Sequence, residues 1–331
     1  MLAQILASSL LALSAVVNAL EVTPENVHTV IDSSVQIRTH SIFAPYVDQD
    51  LQNRWFSFGA DAYVNTNKHI RLTQDRPSET GWLWSRLPLT TANFQIDVEF
   101  KISGASSHLA GDGMAVWLTS RRAQSGPVFG FEDNFEGVGI FIDTFPNSHH
   151  TYAFPRISAM VGDGQTHYDV GNDGDKTITA ACSANVRGLE IPTKMRITYL
   201  KGKWLDVKLQ YKAYDEWTPC FTLDNPRLPP SPFLGFSALT GEVSEAHDII
   251  SVATNSILIN TDLAGMSSSS SWSGKAPASK GGFFSSLFSL LLRLVFLAAI
   301  VAVGVVGWRA YGARLAAPYT KKYSTWDSKR F

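Results

Sequence analysis

Residues 95–102 read Gln-Ile-Asp-Val-Glu-Phe-Lys-Ile, a strict alternation that sets Ile96, Val98, Phe100 and Ile102 on one face of an extended chain. Such a stretch predicts a strand with one face in a core. The same period of two runs from Met195 to Leu200 and from Leu205 to Tyr211, on either side of Lys201-Gly202-Lys203, and predicts a hairpin. Two other runs do not alternate. Gly113 to Thr119 and Gly137 to Ile142 are apolar throughout, as strands covered on both faces are. Gly, Pro, Asn and Asp separate many short strands across residues 20–259, with hardly a helical pattern among them. The expected fold class is therefore all-β, a sandwich of two antiparallel sheets.

The two ends of the chain carry a different pattern. From Leu287 to Gly307 the chain is almost wholly apolar, and as a helix it would span roughly 31 Å, matching a hydrocarbon core of about 30 Å. A transmembrane helix over 287–307 is expected, with Arg293 close enough to its end to snorkel. Residues 1–19 read as a signal peptide, with small Val17 and Ala19 before the cut. Arg309, Arg314, Lys321, Lys322, Lys329 and Arg330 follow the span against one acid, Asp327, as a cytosolic tail over 308–331 requires. Residues 260–286, rich in Ser, Gly, Pro and Lys, form a flexible stem without heptads. The bulk of the chain, 20–259, is then lumenal in a single-pass type I membrane protein.

Composition adds three constraints. At 45% hydrophobic and 17% charged, with a net charge of −1, the chain can form a large core and gives no reason to expect nucleic acid as a partner. Its only two cysteines, Cys182 and Cys220, lie in the lumenal part, where an oxidising compartment leads us to expect a disulfide. Neither has a cysteine or histidine at zinc-ligand spacing. No Asn-X-Ser/Thr sequon occurs, so the chain itself should carry no N-glycan.

Candidate chemistry sits in the loops after the two apolar runs. Asp143, the Phe145 carbonyl and the Asn147 amide place three oxygens within five residues, a set that suits a hard cation such as calcium once a carboxylate joins from elsewhere. Tyr168 to Asp175 supplies Asp169, Asp173 and Asp175 in a Gly-rich loop. From spacing alone, turns in which Asp and Asn bond their own backbone account equally well for either loop.

Five segments, His-Leu-Ala-Gly-Asp-Gly-Met-Ala-Val-Trp-Leu-Thr at 108–119, Gly-Pro-Val-Phe-Gly at 126–130, the run at 133–147, His-Tyr-Asp-Val-Gly-Asn-Asp-Gly at 167–174 and the run at 241–250, appear in an order that resembles the L-type, legume-lectin-like cargo lectins of the early secretory pathway. The vesicular integral-membrane branch is closer than the branch whose lumenal region continues into a long coiled coil. The resemblance covers about Val35 to Ile259. It implies a concanavalin-like jelly roll, no enzymatic activity, and calcium on Asp143, the Phe145 carbonyl, Asn147 and Asp173. It also implies mannose hydroxyls on Asp112 and Asn147, with backbone donors from Gly241, Glu242 and Val243. High-mannose N-glycans of cargo glycoproteins would be the lumenal partners and vesicle coat proteins the cytosolic ones. The setting would be the endoplasmic reticulum, the intermediate compartment and the Golgi. The ending Lys329-Arg330-Phe331 is similar to the basic-aromatic signals that coats read.

Two departures from the family pattern stand out. Val170 occupies the place of a sugar-bonding histidine, and Trp82 replaces a small residue; His149 and His150, beside the calcium loop, are the candidate substitutes, and His167 points the wrong way. A lectin-fold adaptor that grips proteins without sugar is the second reading. A glycoside hydrolase is the third, because Gln95, Asp97 and Glu99 alternate on one strand. Gln95 stands where a first carboxylate would be needed, and an amide cannot act as nucleophile.

Overall fold

The computed structural model describes residues 22–25, 31–106 and 109–259. The chain divides into a unit spanning Met1–Ser267 and another spanning Ser268–Phe331, and every described residue belongs to the first. The expected signal peptide, stem, transmembrane helix and tail, with Lys329, Arg330 and Phe331, lie outside the described residues. Among the described residues no helix is long and apolar enough to cross a membrane.

The strands run in chain order as β1 (Ile31–Gln36), β2 (Phe56–Ala60), β3 (Tyr63–Asn65), β4 (His69–Thr73), β5 (Thr80–Ser85), β6 (Asn93–Ser103), β7 (Gly113–Thr119) and β8 (Glu136–Asp143). They continue as β9 (Arg156–Asp163), β10 (Ala180–Ser183), β11 (Thr193–Leu200), β12 (Trp204–Gln210), β13 (Thr218–Asp224), β14 (Phe233–Leu239) and β15 (Ala246–Ile259). One sheet has the order β13-β12-β11-β6-β15-β4-β3, with β1 also on β15; the other has β10-β9-β8-β7-β14-β5-β2. Neighbouring strands pair antiparallel throughout, giving the expected two-sheet sandwich.

The alternation along β6 does what it predicts: Ile96, Val98, Phe100 and Ile102 are buried between the sheets, and the residues between them are half-exposed. β11 and β12 form the expected hairpin, with Leu200 opposite Trp204 and Gly202 taking the left-handed φ of 73° that the short turn requires. The apolar run in β7 has a different cause. Met114, Val116 and Leu118 face the sandwich core, whereas Ala115 and Trp117 face a second cluster on the outer side of the same sheet. There Trp84, Trp117 and Phe141 from the strands meet Phe129, Phe131 and Tyr168 from covering loops. Trp117 donates its indole N–H to Ser237 Oγ at 2.8 Å, which makes its burial polar-neutral. Burying side chains of this size stabilises by about 1.5–3 kcal/mol each, and this second cluster holds the loops of the site in place.

Cys182 on β10 and Cys220 on β13 are bonded, with Cα atoms 5.2 Å apart. Because β10 and β13 are edge strands of different sheets, the bond ties the two sheets together at one side.

His40 lies in the core at 2% exposure, its Nε2 bonding the Leu87 carbonyl at 2.9 Å. Burial pushes its pKa below the ordinary 6.5, against the opposing pull of that carbonyl. The folded state therefore binds the proton less well than the unfolded chain does. This contribution to stability is complete above about pH 6.5 and is lost as pH falls through the lowered folded value. Urea midpoints measured from pH 7.5 to 5 should fall less steeply in His40→Gln than in the original chain; equal slopes would remove His40 from the account.

Candidate functional site

Strand register assembles the site. Gly113 pairs with both Asp143 and Leu239, so the residues just outside these positions, Asp112, Thr144 and Thr240, come together at one end of the second sheet. Asp112 is fixed by its own backbone: its N–H donates to the Leu239 carbonyl and its carbonyl accepts from Thr144 N–H, both at 3.1 Å. The Gly111–Asp112 peptide is cis. The Asp112 carboxylate lies against Gly241, where an added Cβ would sit 3.1 Å from Oδ1 and would press the carboxylate aside by a few tenths of an ångström. Val243 packs near Gly111, and Glu242 between the two is exposed. Gly241 in turn accepts from Ser78 N–H at 3.0 Å. Burial raises the Asp112 pKa, with Glu245 adding to the rise and His247 opposing it.

The Asp143 loop and the Asp173 loop meet beside this carboxylate. Asp143 and Asp173 are 3% and 2% exposed, a burial that two carboxylates tolerate only with a counter-charge between or beside them. Burial, and then the charge of Asp173, push the Asp143 pKa well above the usual carboxylate range. Asp173 accepts from the Asn147 N–H at 3.1 Å and from Asn147 Nδ2 at 2.7 Å, and that same Nδ2 lies 3.4 Å from the Phe145 carbonyl. Two oxygens of the expected calcium set thus already converge on one electropositive group. Reversing the Asn147 amide would present Oδ1 at that point instead. Among the described residues no three His, Cys, Asp or Glu side chains form a metal cage. The set is instead two carboxylates, a carbonyl and an amide, all oxygen donors, which fits calcium and not a nitrogen- or sulfur-seeking metal.

Local sequence explains why Asp173 can reach in. Val170–Asn172 form a short 3-10 turn, after which Asp173 and Gly174 both take left-handed φ, 51° and 66°. A side chain on Gly174 would strike the Tyr168 ring, 2.2 Å from the Cβ position. Asp169, by contrast, behaves as a turn residue, accepting from Asn172 Nδ2 at 2.6 Å. Asp175 pairs with Arg156 at 2.7 Å.

A small pocket opens where these groups meet, lined by Asp112, Asp143, Asn147, Tyr168, Val170 and Leu239. Val170 therefore stands in the pocket wall at 37% exposure, as its place in the pattern implied. The other departures read differently in three dimensions. Trp82 does not line the pocket; it packs over Gly59 beside the second cluster. His167 is exposed and pairs with Asp133. His149 is exposed, but His150 is not solvated: its side chain is 6% exposed, with Nε2 on Asp173 at 2.5 Å and Nδ1 on Asp175 at 3.0 Å, stacked on Tyr152. With both nitrogens engaged, His150 has none left for a ligand in place of the missing histidine. Tyr168, Glu245 and His247 fall inside segments of the family pattern, but nothing in periodicity or motif order gave them, or Ser78, a role in the site.

Gln95, Asp97 and Glu99 lie on the outer face of the first sheet. Asp97 is held by Arg196 through two 2.7 Å bonds, and Glu99 accepts from Ser251 at 3.0 Å. They form a structural strand face.

Residues 33–262 match the legume-like lectin family. The chain belongs to that family. An L-type lectin-like domain-containing protein of Schizosaccharomyces pombe is 38% identical over 275 residues, 80% of this chain and 85% of that protein. The human VIP36-like protein is 40% identical over 220 residues, 65% of this chain and 62% of that protein, so the chain spans less than two thirds of that relative. A crystal structure of the VIP36 exoplasmic/lumenal domain in its Ca2+/Man2-bound form superposes with a TM-score of 0.64 at 35% identity, covering 68% of this chain and 90% of that one. The family is one of lectins, not enzymes, in keeping with the occupied strand face around Asp97.

Proposed function

We propose that this chain is a calcium-dependent, mannose-binding lectin of the secretory-pathway lumen, held in the membrane by one helix and serving as a cargo receptor for glycoproteins between endoplasmic reticulum and Golgi. The observation that carries the sugar reading is that Asp112 and Asn147 line one pocket while the Asn147 amide also meets Asp173 and the Phe145 carbonyl. Calcium held by Asp143, the Phe145 carbonyl, Asn147 and Asp173 would fix the Asn147 amide and neutralise the buried carboxylates. Mannose hydroxyls would then donate to Asp112 and meet Asn147 and the backbone of Gly241, Glu242 and Val243. Donors and acceptors already aimed reduce the ordering cost of capturing a well-hydrated sugar. The likeness to VIP36, whose lumenal domain forms complexes described as Ca2+/Man2 and Ca2+/Man3GlcNAc, supports high-mannose N-glycans as ligands.

Export from the endoplasmic reticulum would use coat proteins that read Lys329, Arg330 and Phe331. Retention of the purified chain on a high-mannose glycan column in calcium, with release by chelator, tests the sugar reading; passage through the column in calcium would refute it.

Val170 favours a second reading, in which the fold serves as an adaptor for proteins and binds no sugar. An apolar side chain in the pocket wall can neither donate nor accept a hydrogen bond. Returning one polar contact is worth about 1–1.5 kcal/mol, so Val170→His should raise mannose affinity by about tenfold. Absence of mannose binding in both forms would favour the adaptor.

A further inference from the structure

Behind the sugar loop lies a fully buried carboxylate, Glu245, at 0% exposure. Its Oε1 accepts from Thr144 Oγ1 and from His247 Nε2, the latter at 3.1 Å, and its Oε2 accepts from Arg187 Nε at 2.7 Å. His247 is itself buried and meets Thr73 Oγ1 through Nδ1 at 2.6 Å. Arg187 reaches on to the Ser106 carbonyl at 2.7 Å. Burial alone would raise the Glu245 pKa, but the bond and charge of His247, followed by Thr144 and Arg187, hold it below the usual range.

The position of this cluster matters more than its charge. Thr144 sits between Asp143 and Phe145, two of the proposed calcium donors, and its N–H holds the carbonyl of Asp112, the proposed sugar acceptor. Glu245 follows Val243, the end of the sugar loop, by two residues, and Ser244 between them is tied to Asp75 at 2.8 Å. A single carboxylate therefore joins the calcium loop to the base of the sugar loop, through one hydroxyl on one side and its own backbone on the other. A hydrogen-bonded element shared by two loops is a route by which ordering of one loop at its site can favour ordering of the other.

We propose that Glu245, acting through Thr144, is a positioning residue that couples the calcium loop to the sugar loop, so that the cation at one tightens binding at the other. This rests on the calcium-dependent lectin reading. Thr144→Val keeps the shape of the side chain and deletes only the hydroxyl, leaving the Glu245 pairs with Arg187 and His247 in place. Thr144→Ser restores the hydroxyl. Calcium affinity of the purified full chain should be measured with and without saturating mannobiose, and the ratio of the two constants taken as the coupling.

The original chain and Thr144→Ser should show mannobiose tightening calcium by the same factor, about fivefold or more, and Thr144→Val should show a smaller factor, since Asn147, shared by the two sites, keeps part of the coupling. A merely structural role would lower the melting temperature of Thr144→Val while leaving the ratio intact, and that result overturns the proposal. If the original chain and Thr144→Val show the same ratio, the proposal fails while the calcium-dependent lectin reading stands; if the original chain binds calcium and mannobiose independently, that reading fails as well. If it binds neither, both fail together.

Discussion

Asp143→Ala is expected to abolish calcium binding and, with it, all measurable binding of mannose. Asp143 is nearly fully buried, and burial first, then the charge of Asp173, push its pKa upward, so a bound cation would stabilise the pair in its charged form. In the original chain, calcium at a hundredfold excess over its dissociation constant should stabilise the fold by about 2.7 kcal/mol. For a domain of this size that corresponds to a rise of roughly 5–10 °C in melting temperature. The variant should show no rise. Without calcium, it should melt no lower than the original, because deleting one of two facing buried carboxylates removes their repulsion. Scanning calorimetry of both forms in calcium and in chelator checks both halves, and an unchanged calcium response in the variant would exclude Asp143 as a ligand.

Removing the disulfide should be the most destabilising change away from the site. Cys182 and Cys220 are 38 residues apart in sequence, and the chain-entropy estimate for closing a loop of that length is about 4 kcal/mol. The bond also joins edge strands of opposite sheets. A Cys182→Ala, Cys220→Ala double variant should therefore unfold at a lower denaturant concentration, with an unfolding free energy lower by about 3–4 kcal/mol. A loss below about 1 kcal/mol would mean that packing of β10 and β13 against the core already holds the two sheets together.

The sequence made the scaffold legible wherever one physical requirement dominated. Alternation in β6 and the β11–β12 hairpin follows from having one wet face and one dry face, and the uninterrupted apolar runs of β7 and β8 follow from being covered on both. The oxygen spacing around Asp143 showed a metal loop as one of two readings, and family resemblance was needed to choose Asp173 over Asp169 and Asp175. What turns Asp173 inward to Asn147 is the left-handed pair Asp173-Gly174 packed on Tyr168, a tertiary contact that no local pattern contains. His150 shows the same limit. Loop histidines are commonly solvated, yet this one is enclosed between two carboxylates and an aromatic ring that come from its own loop and a neighbouring one. Glu245 lay within a segment of the family pattern, yet an acid between Glu242 and Asp248 reads as surface until the strands bring Arg187, His247 and Thr144 around it.

The central claim is that the pocket between Asp112 and the calcium loop binds mannose only when the cation holds Asn147 in place. A calorimetric titration of the chain with mannobiose, run once in calcium and once in chelator, tests it most directly. The account predicts saturable heat in calcium, none in chelator, and none in calcium for Asp112→Asn. Equal binding with and without calcium, or binding that survives the loss of the Asp112 carboxylate, would contradict it.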